Sequence, residues 1–356
     1  MLTNRKEFIK HLQAHKRIAC TGAMTTKQIL RCVRLESIDG TLAIQSTDLE
    51  IAAQTFVSCQ GDIEACIPVV ELLRAVKADK AEMVSIETTD KGASIDNRIT
   101  LETEPADEFP FIPRLDYGYD YEYTKADIID AVGKTLFSVA KDMSYCAYNG
   151  LCFMPNIESF SMVSTDGKRL TISGTGTVEN AKTSGKRLVL PVKQMTALKP
   201  FFKLHKRENV YFEEYKNQGI FHTPSMKIMG RFLEGEYPKF QDVMPNNPEF
   251  INLDASDLDY ALETACIDQK NLEVQSARFA YNGNGTLTIS TDNSLTELDV
   301  FTSSGTVFET NLNPFYVREY AKAQGKETVS MRFKEKESAV VFDSNERNIH
   351  VLMPVT

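Results

Sequence analysis

The tripeptide Ser-Thr-Asp occurs three times, at Ser46-Thr47-Asp48, Ser164-Thr165-Asp166 and Ser290-Thr291-Asp292, with starts 118 and 126 residues apart. Two hydroxyls beside a carboxylate are the raw material of a nucleophilic site, provided a base lies within reach of the attacking hydroxyl. The same letters also end strands, because an Asp there accepts hydrogen bonds from the backbone of its own turn. Little else in the chain completes a catalytic set. There is no G-x-S-x-G, no G-x-x-x-x-G-K-[ST] and no H-E-x-x-H. The five histidines (His11, His15, His205, His222, His350) form no metal-binding spacing. The seven cysteines (Cys20, Cys32, Cys59, Cys66, Cys146, Cys152, Cys266) are odd in number, contain no C-x-x-C and sit mostly among apolar residues. They read as reduced, small core residues. Neither a metal nor a cofactor is expected.

The elements around each tripeptide repeat with it. Before the first lies LRCVRLESIDGTLAIQ, before the second NGLCFMPNIESFSMV, before the third ARFAYNGNGTLTI. Each reads as a hairpin whose second strand ends at the tripeptide. After them come ACIPVVELLRAVKADK, LVLPVKQMTALKPFF and FETNLNPFYVREYAKAQGK: a short strand, then Pro or Asn, then an amphipathic helix. Pro68, Pro191 and Pro314 fall at the expected helix starts, where a missing N–H is tolerated. A strand pair follows each helix. Upstream, NRKEFIKHLQAHKRI, TKADIIDAVGKTLFSVA and DASDLDYALETAC carry apolar residues at helical spacing behind a capping residue.

Three landmarks in one order predict three copies of one α+β plan, two helices over antiparallel sheets. Boundaries are expected near 121/122 and 247/248, in linkers rich in Pro, Asn and Tyr, giving domains 1–121, 122–247 and 248–356. Pro200 is expected to end its helix early.

The totals describe a globular chain of 356 residues, 42% hydrophobic and 25% charged. No run approaches the roughly 18 apolar residues of a membrane span, and the N-terminus is charged where a signal peptide would be apolar. A soluble, cytoplasmic protein with no membrane partner is expected. The net charge of −9 on its own argues against a nucleic-acid binder. Its distribution says otherwise. The expected helical segments 4–18, 70–80, 124–141, 192–207, 254–266 and 313–327 sum to +8, leaving −17 on strands and loops. If the repeats close into a ring with helices inward, its hole is basic and its outside acidic. Duplex DNA would then pass through without base readout, held by attraction to phosphates. The segment 254–266 carries −4 and breaks this pattern.

At this point the residues carry a family likeness. DGTLAIQSTDLEIAAQ, YNGLCF, VSTDGKRLTIS, GEYPKFQDVMP and the C-terminal HVLMPVT resemble, in order and spacing, the bacterial DNA sliding clamp, the β subunit of DNA polymerase III. The resemblance spans essentially the whole chain. It implies three clamp domains per protomer and a head-to-tail homodimer closing a ring around duplex DNA. It also implies a processivity factor with no catalysis of its own, which tethers DNA polymerase and binds clamp-loader subunits through short peptide motifs. The cleft for such peptides would be formed by Tyr148, Thr165, Gly167, Lys168, Arg169 and Leu170, with Pro238 and Val243, and with Val351, Met353, Pro354 and Val355. Tyr148 and Asp242 stand where the family often has Leu and Arg. The DNA-facing residues would be Lys6, Lys10, Lys77, Lys193, Lys199 and Lys322, with Lys141 from the loop AKDMSYCA. At the ring contact, Ile99 and Leu101 would meet Cys266 and Ile267 of the partner.

Two other classes compete. An enzyme built on the tripeptides would need the missing base and orienting groups. A clamp-fold protein that binds partners without encircling DNA would explain the acidic segment 254–266. Without the resemblance, Leu170, Val243 and Met353 read rather as domain-interface core, and Ile99 and Leu101 as ordinary strand alternation facing their own core.

Overall fold

The computed structural model describes residues 1–20, 27–112, 120–141, 146–266 and 276–355. They pack as two compact units. The first joins Met1–Ala126 to Leu190–Phe232, the second Asp127–Val189 to Leu233–Thr356. Among the described residues the helices are α1 Arg5–His15, α2 Val69–Lys77, α3 Lys125–Thr135, α4 Val178–Thr183, α5 Val192–Phe202, α6 Ala255–Ala265 and α7 Pro314–Gln324. Six of them fall on the six expected segments. The seventh, α4, has only six residues and lacks a long periodic face; its signal is local, a Thr177–Asn180 capping box.

Each long helix forms for the reasons its sequence offers. Asn4, Asp254 and Asn313 cap α1, α6 and α7 through their side chains. Pro68 and Pro191 occupy the N-cap positions of α2 and α5, and Pro314 opens α7. Apolar residues three and four apart then go inward: Leu72, Leu73 and Val76 from α2, Leu258, Ala261, Leu262 and Ala265 from α6. The expectation for Pro200 is corrected, since α5 runs through it to Phe202. Pro200 sits in the last turn, where only one helical bond is lost. The burial of Phe201 and Phe202, and a bond from the Lys203 amide to the Lys199 carbonyl, hold that turn.

Every strand pair among the described residues is antiparallel, so the described chain is α+β with antiparallel sheets. In the first unit, strand Ile51–Gln60 is the junction. It pairs with Thr41–Thr47 and Leu2–Asn4, and also with Met226–Arg231, in register Ala53 opposite Ile228. That last partner lies in the expected second repeat. In the second unit, Arg169–Gly174 pairs with Asn348–Leu352 of the expected third repeat, Leu170 opposite Val351. The compact units therefore cut across the sequence repeats, because sheets continue from one repeat into the next. Among the described residues strand Ile99–Leu101 ends its sheet with one edge unpaired, and Leu295–Asp299 ends the four-stranded sheet of the second unit.

No helix of the described residues is long and apolar enough to cross a membrane.

Candidate functional sites: a basic groove and an apolar cleft

The tripeptides come first. Asp48 Oδ1 accepts the Glu50 and Ile51 amides at 3.0 and 2.8 Å, while Thr47 donates to the Ile51 carbonyl and accepts from the Leu49 amide. Asp166 Oδ1 accepts the Lys168 and Arg169 amides at 3.0 and 3.1 Å, and Thr165 makes the same pair of bonds to Arg169 and Gly167. Two copies thus build one turn. The third differs: Thr291 bonds Ser294 through both backbone and hydroxyl.

In the first two copies the leading serine reaches the end of the preceding helix. Ser46 Oγ lies 2.7 Å from His15 Nδ1, and Ser164 Oγ donates to the Thr135 carbonyl. The Ser46–His15 pair has the composition of a catalytic dyad, but both residues are fully buried and the other ring nitrogen of His15 is taken by Thr55. Burial, and then the neighbouring His11, push the His15 pKa well below its ordinary value, which makes it a poor base. The tripeptides are turns.

The basic groove lies wholly in the first unit. Helices α1 and α2 and the end of α5 line a hollow of about 840 Å³ with Lys10, Lys16, Arg17, Lys77 and Lys203, and no acidic residue joins them. Leu73 and Pro200 contribute its apolar floor. Of the DNA-facing lysines expected from sequence, Lys10 and Lys77 line this groove, and Lys6 and Lys199 are exposed on α1 and α5. In the second unit Lys141 and Lys322 are exposed. Lys193 is held differently. It pairs with Asp48 and donates to the Ile18 carbonyl at 3.1 Å, so its charge is already answered. Lys16, Arg17 and Lys203 were not singled out in the sequence, although they sit in its two most basic segments.

The segment 254–266, acidic in sequence, is compensated. Asp254 caps α6 and Asp257 lies in its first turn, where the helix dipole favours negative charge. Asp259 and Glu263 both pair with Arg318 of α7 at 2.8 Å.

The residues expected to form the peptide cleft fall in the second unit. Leu170 and Val351 face each other across paired strands and join a cluster with Ala147, Tyr237 and Phe240, against which Tyr148 packs. Val243 and Met353 are exposed at 58% and 51%, which leaves apolar surface beside that cluster. Pro238, Pro354 and Val355 are half-buried, while Gly167 and Lys168 are exposed on the turn. The Lys168 carbonyl accepts the Met353 amide at 3.2 Å, fixing the C-terminal segment beside the turn. Tyr237 and Phe240 were missed from sequence. Their signal was the aromatic pair in EYPKF.

Two expected cleft residues are placed otherwise. Thr165 is buried and its hydroxyl is spent on its own turn. The Arg169 side chain is only 3% exposed. It bonds Asp166 at 3.0 Å, Glu319 of α7 at 2.5 Å and the Phe137 carbonyl at 2.5 Å, and lies 3.9 Å from the Tyr316 ring centre. Arg169 holds the turn to α7 from behind.

Ile99 and Leu101 are half-buried on the edge strand and pack against the core of the first unit. Cys266 is buried at the C-terminal end of α6, and Ile267 lies outside the described residues.

Comparison with known proteins identifies this combination. The family model described as DNA polymerase III beta subunit, N-terminal domain, matches residues 1–113; that for the central domain of the same subunit matches 123–239. The Beta sliding clamp of Escherichia coli (strain K12) is 25% identical over 354 residues, covering 94% of each chain. That of Chlamydia muridarum is 21% identical, covering 92% of this chain and 91% of its own. Among solved structures, the DNA polymerase sliding clamp from Bacillus subtilis superposes with a TM-score of 0.89 at 16% identity, over 100% of this chain and 98% of that one. The DNA polymerase III subunit beta from Pseudomonas aeruginosa gives 0.86 at 20%, over 100% and 99%. The likeness therefore runs the length of the chain.

Proposed function

From the premise that this chain belongs to the DNA polymerase III beta-subunit family, the two models together matching well over half of it, we propose how its residues do the work of a DNA sliding clamp. The protein is a processivity factor, without catalysis of its own. A tethered polymerase cannot diffuse from the primer end, so its effective concentration there stays high without any new contact to the template.

The observation that carries the reading is the basic groove of the first unit. Five cationic side chains without an acid attract phosphates of any sequence, and nothing in the lining selects a base. Such contacts are strong in sum and individually weak, which suits a protein that must hold DNA and slide. In this reading Lys6, Lys10, Lys77, Lys199, Lys322 and Lys141 face the duplex, and Lys16, Arg17 and Lys203 join them.

Two copies close head to tail into a ring around DNA. Ile99 and Leu101, on an unpaired strand edge, meet the end of α6 at Cys266 in the partner. The exposed Leu295 and the edge strand it begins adjoin that end, since Ser294 donates to the Ala265 carbonyl at 3.0 Å. An open edge with half-buried apolar residues is what strand addition requires. The three-domain division at 121/122 and 247/248 belongs to this proposal. Support for it comes from the recurring order of elements and from family matches that stop at 113 and begin again at 123.

Polymerase and loader peptides dock on the apolar surface around Leu170, Val351, Tyr148, Val243 and Met353, with Pro238, Pro354 and Val355 beside them. Exposed Met and Val adapt to varied side chains. Working on DNA with a polymerase, the protein acts in the cytoplasm. The reading of a clamp fold that never encircles DNA rested on the acidic α6, and Arg318 removes its motive.

The test is topological. The protein is loaded onto nicked circular DNA by its loader, and retention is followed by gel filtration before and after linearisation. Retention that ends on linearisation supports the ring; retention unchanged by linearisation, or none at all, overturns it.

A further inference from the structure

A second hollow, of about 510 Å³, opens in the second unit, on the sheet face that carries the cleft. Its apolar wall is Val178, Met244, Val341 and Ile349. Ile349 and Val351 lie two apart on one strand and so share a face, about 7 Å apart, and Val341 is paired with Val351. Met244 follows the exposed cleft residue Val243 directly. The hollow therefore lies next to the residues of the expected cleft.

Its polar lining is unbalanced in two ways. Glu179 pairs with Lys182 at 2.7 Å, and Arg332 pairs with Asp343, which leaves Glu346 as the lining charge with no ion-pair partner among the described residues. Asn247, also in the lining, is 7% exposed. Its Nδ2 donates to the Arg332 and Ala339 carbonyls at 3.1 and 2.8 Å, while its Oδ1 has no hydrogen-bond partner among the described residues. Those two carbonyls fix the amide's orientation, because a flipped Asn would set its oxygen against them. A buried acceptor left unmet costs free energy until a donor arrives.

An apolar wall, an unmet buried acceptor and an exposed carboxylate free of any ion pair among the described residues together fit a side chain with an aliphatic stem and a cationic, hydrogen-donating head. We propose that this hollow is a docking pocket for a lysine or arginine of a partner peptide whose apolar residues sit in the adjoining cleft; this rests on the cleft reading. The stem would cover Val178, Met244, Val341 and Ile349. The head would donate to Asn247 Oδ1 and lie near Glu346.

The test separates pocket from cleft. The full chain, with ¹³C-methyl methionine, reports on the pocket through Met244 and on the cleft through Met353. It is titrated with n-butylguanidinium chloride and, at equal ionic strength, with neutral n-butylurea. We expect saturable movement of the Met244 methyl by the cation only, weakened at least threefold in Glu346→Lys, with Met353 still. An unmoved Met244, or equal movement by both probes and in the variant, overturns the proposal and marks the hollow as a water site only. In the second arm, a polymerase-derived peptide that moves Met353 is resynthesised with arginine at successive flanking positions. One register is expected to move Met244 as well and to bind at least threefold tighter; no such register overturns the docking role. A polymerase peptide that leaves Met353 unmoved sinks the cleft reading instead, and the first arm still decides the pocket.

Discussion

Arg169→Ala tests whether this residue is a wall of the cleft or the fastening behind it. The wild-type guanidinium is 3% exposed and answers two carboxylates and a carbonyl. Removing one partner of a buried ion pair costs about 3–5 kcal/mol, since it strands the other charge. Two facts place this case at the low end, about 3 kcal/mol. Glu319 is 42% exposed and can rehydrate, and Asp166 keeps its two turn amides. Because the chain has two compact units, a single unfolding transition is not a safe observable. Hydrogen exchange read by mass spectrometry resolves them. Protection of peptides covering 160–174 and 314–324 should fall about a hundredfold, the equivalent of about 3 kcal/mol, while peptides from α1 and α2 keep theirs. Arg169→Lys should rescue little, because an ammonium cannot reproduce the planar fork across three acceptors. Met353→Ala, at a residue 51% exposed, should weaken peptide binding with protection unchanged. If Arg169→Ala alters protection less than tenfold, or alters both units alike, the fastening role is wrong.

Three further outcomes are expected. His11 is lowered to about 4 by burial and then by Lys10, so the native chain keeps it neutral while the unfolded chain protonates it near pH 6.5. Stability from this group is complete above pH 6.5 and is lost as pH falls toward 4, by about 2 kcal/mol at pH 5. His11→Gln should shrink the loss of hydrogen-exchange protection in peptides of the first unit between pH 7.5 and 5.0, corrected for the intrinsic exchange rate, and an unchanged loss refutes the assignment. Lys10→Ala with Lys77→Ala removes four lysines from a two-copy ring and should weaken DNA retention and lower the log–log salt slope by about 4; an unaltered slope would place the DNA elsewhere. Leu101→Arg should leave a folded monomer of half the wild-type mass by light scattering, whereas a dimer of full affinity would remove the edge strand from the ring contact.

How much of this was legible in the sequence depends on the range of the interaction. The long helices were, because Leu72, Leu73 and Val76, or Leu258 and Leu262, write their buried faces at local spacing. The turns were too, since Asp48 and Asp166 bond amides two and three residues ahead. The role of Arg169 was not. Its partner Glu319 is 150 residues away, and nothing local distinguishes an exposed arginine from a buried one. The same holds for Arg318, whose pairing with Asp259 and Glu263 answers the acidity that made α6 look anomalous. Pro200 misled because a local rule about proline was applied to a helix whose last turn is held by the burial of Phe201 and Phe202.

The tripeptide carboxylates show why repeat and packing unit differ. In both matching turns one oxygen of the Asp is spent on its own backbone, and the other takes a cation. Asp48 Oδ2 takes Lys193, on the helix of the second repeat. Asp166 Oδ2 takes Arg169, which passes the contact to Glu319 on the helix of the third. Each turn therefore fastens one repeat to its successor, beside a sheet that already crosses between them through Ile51–Gln60 or Arg169–Gly174. The third tripeptide, built through Thr291 and Ser294, makes no such link: Asp292 has no ion pair among the described residues. A carboxylate that closes a turn and grips the next repeat must be Asp at the first two sites, since Glu would overreach the turn amides and Asn would lose the cation. The threefold recurrence that first suggested chemistry thus marks one turn, which in its first two copies also bonds to the repeat that follows.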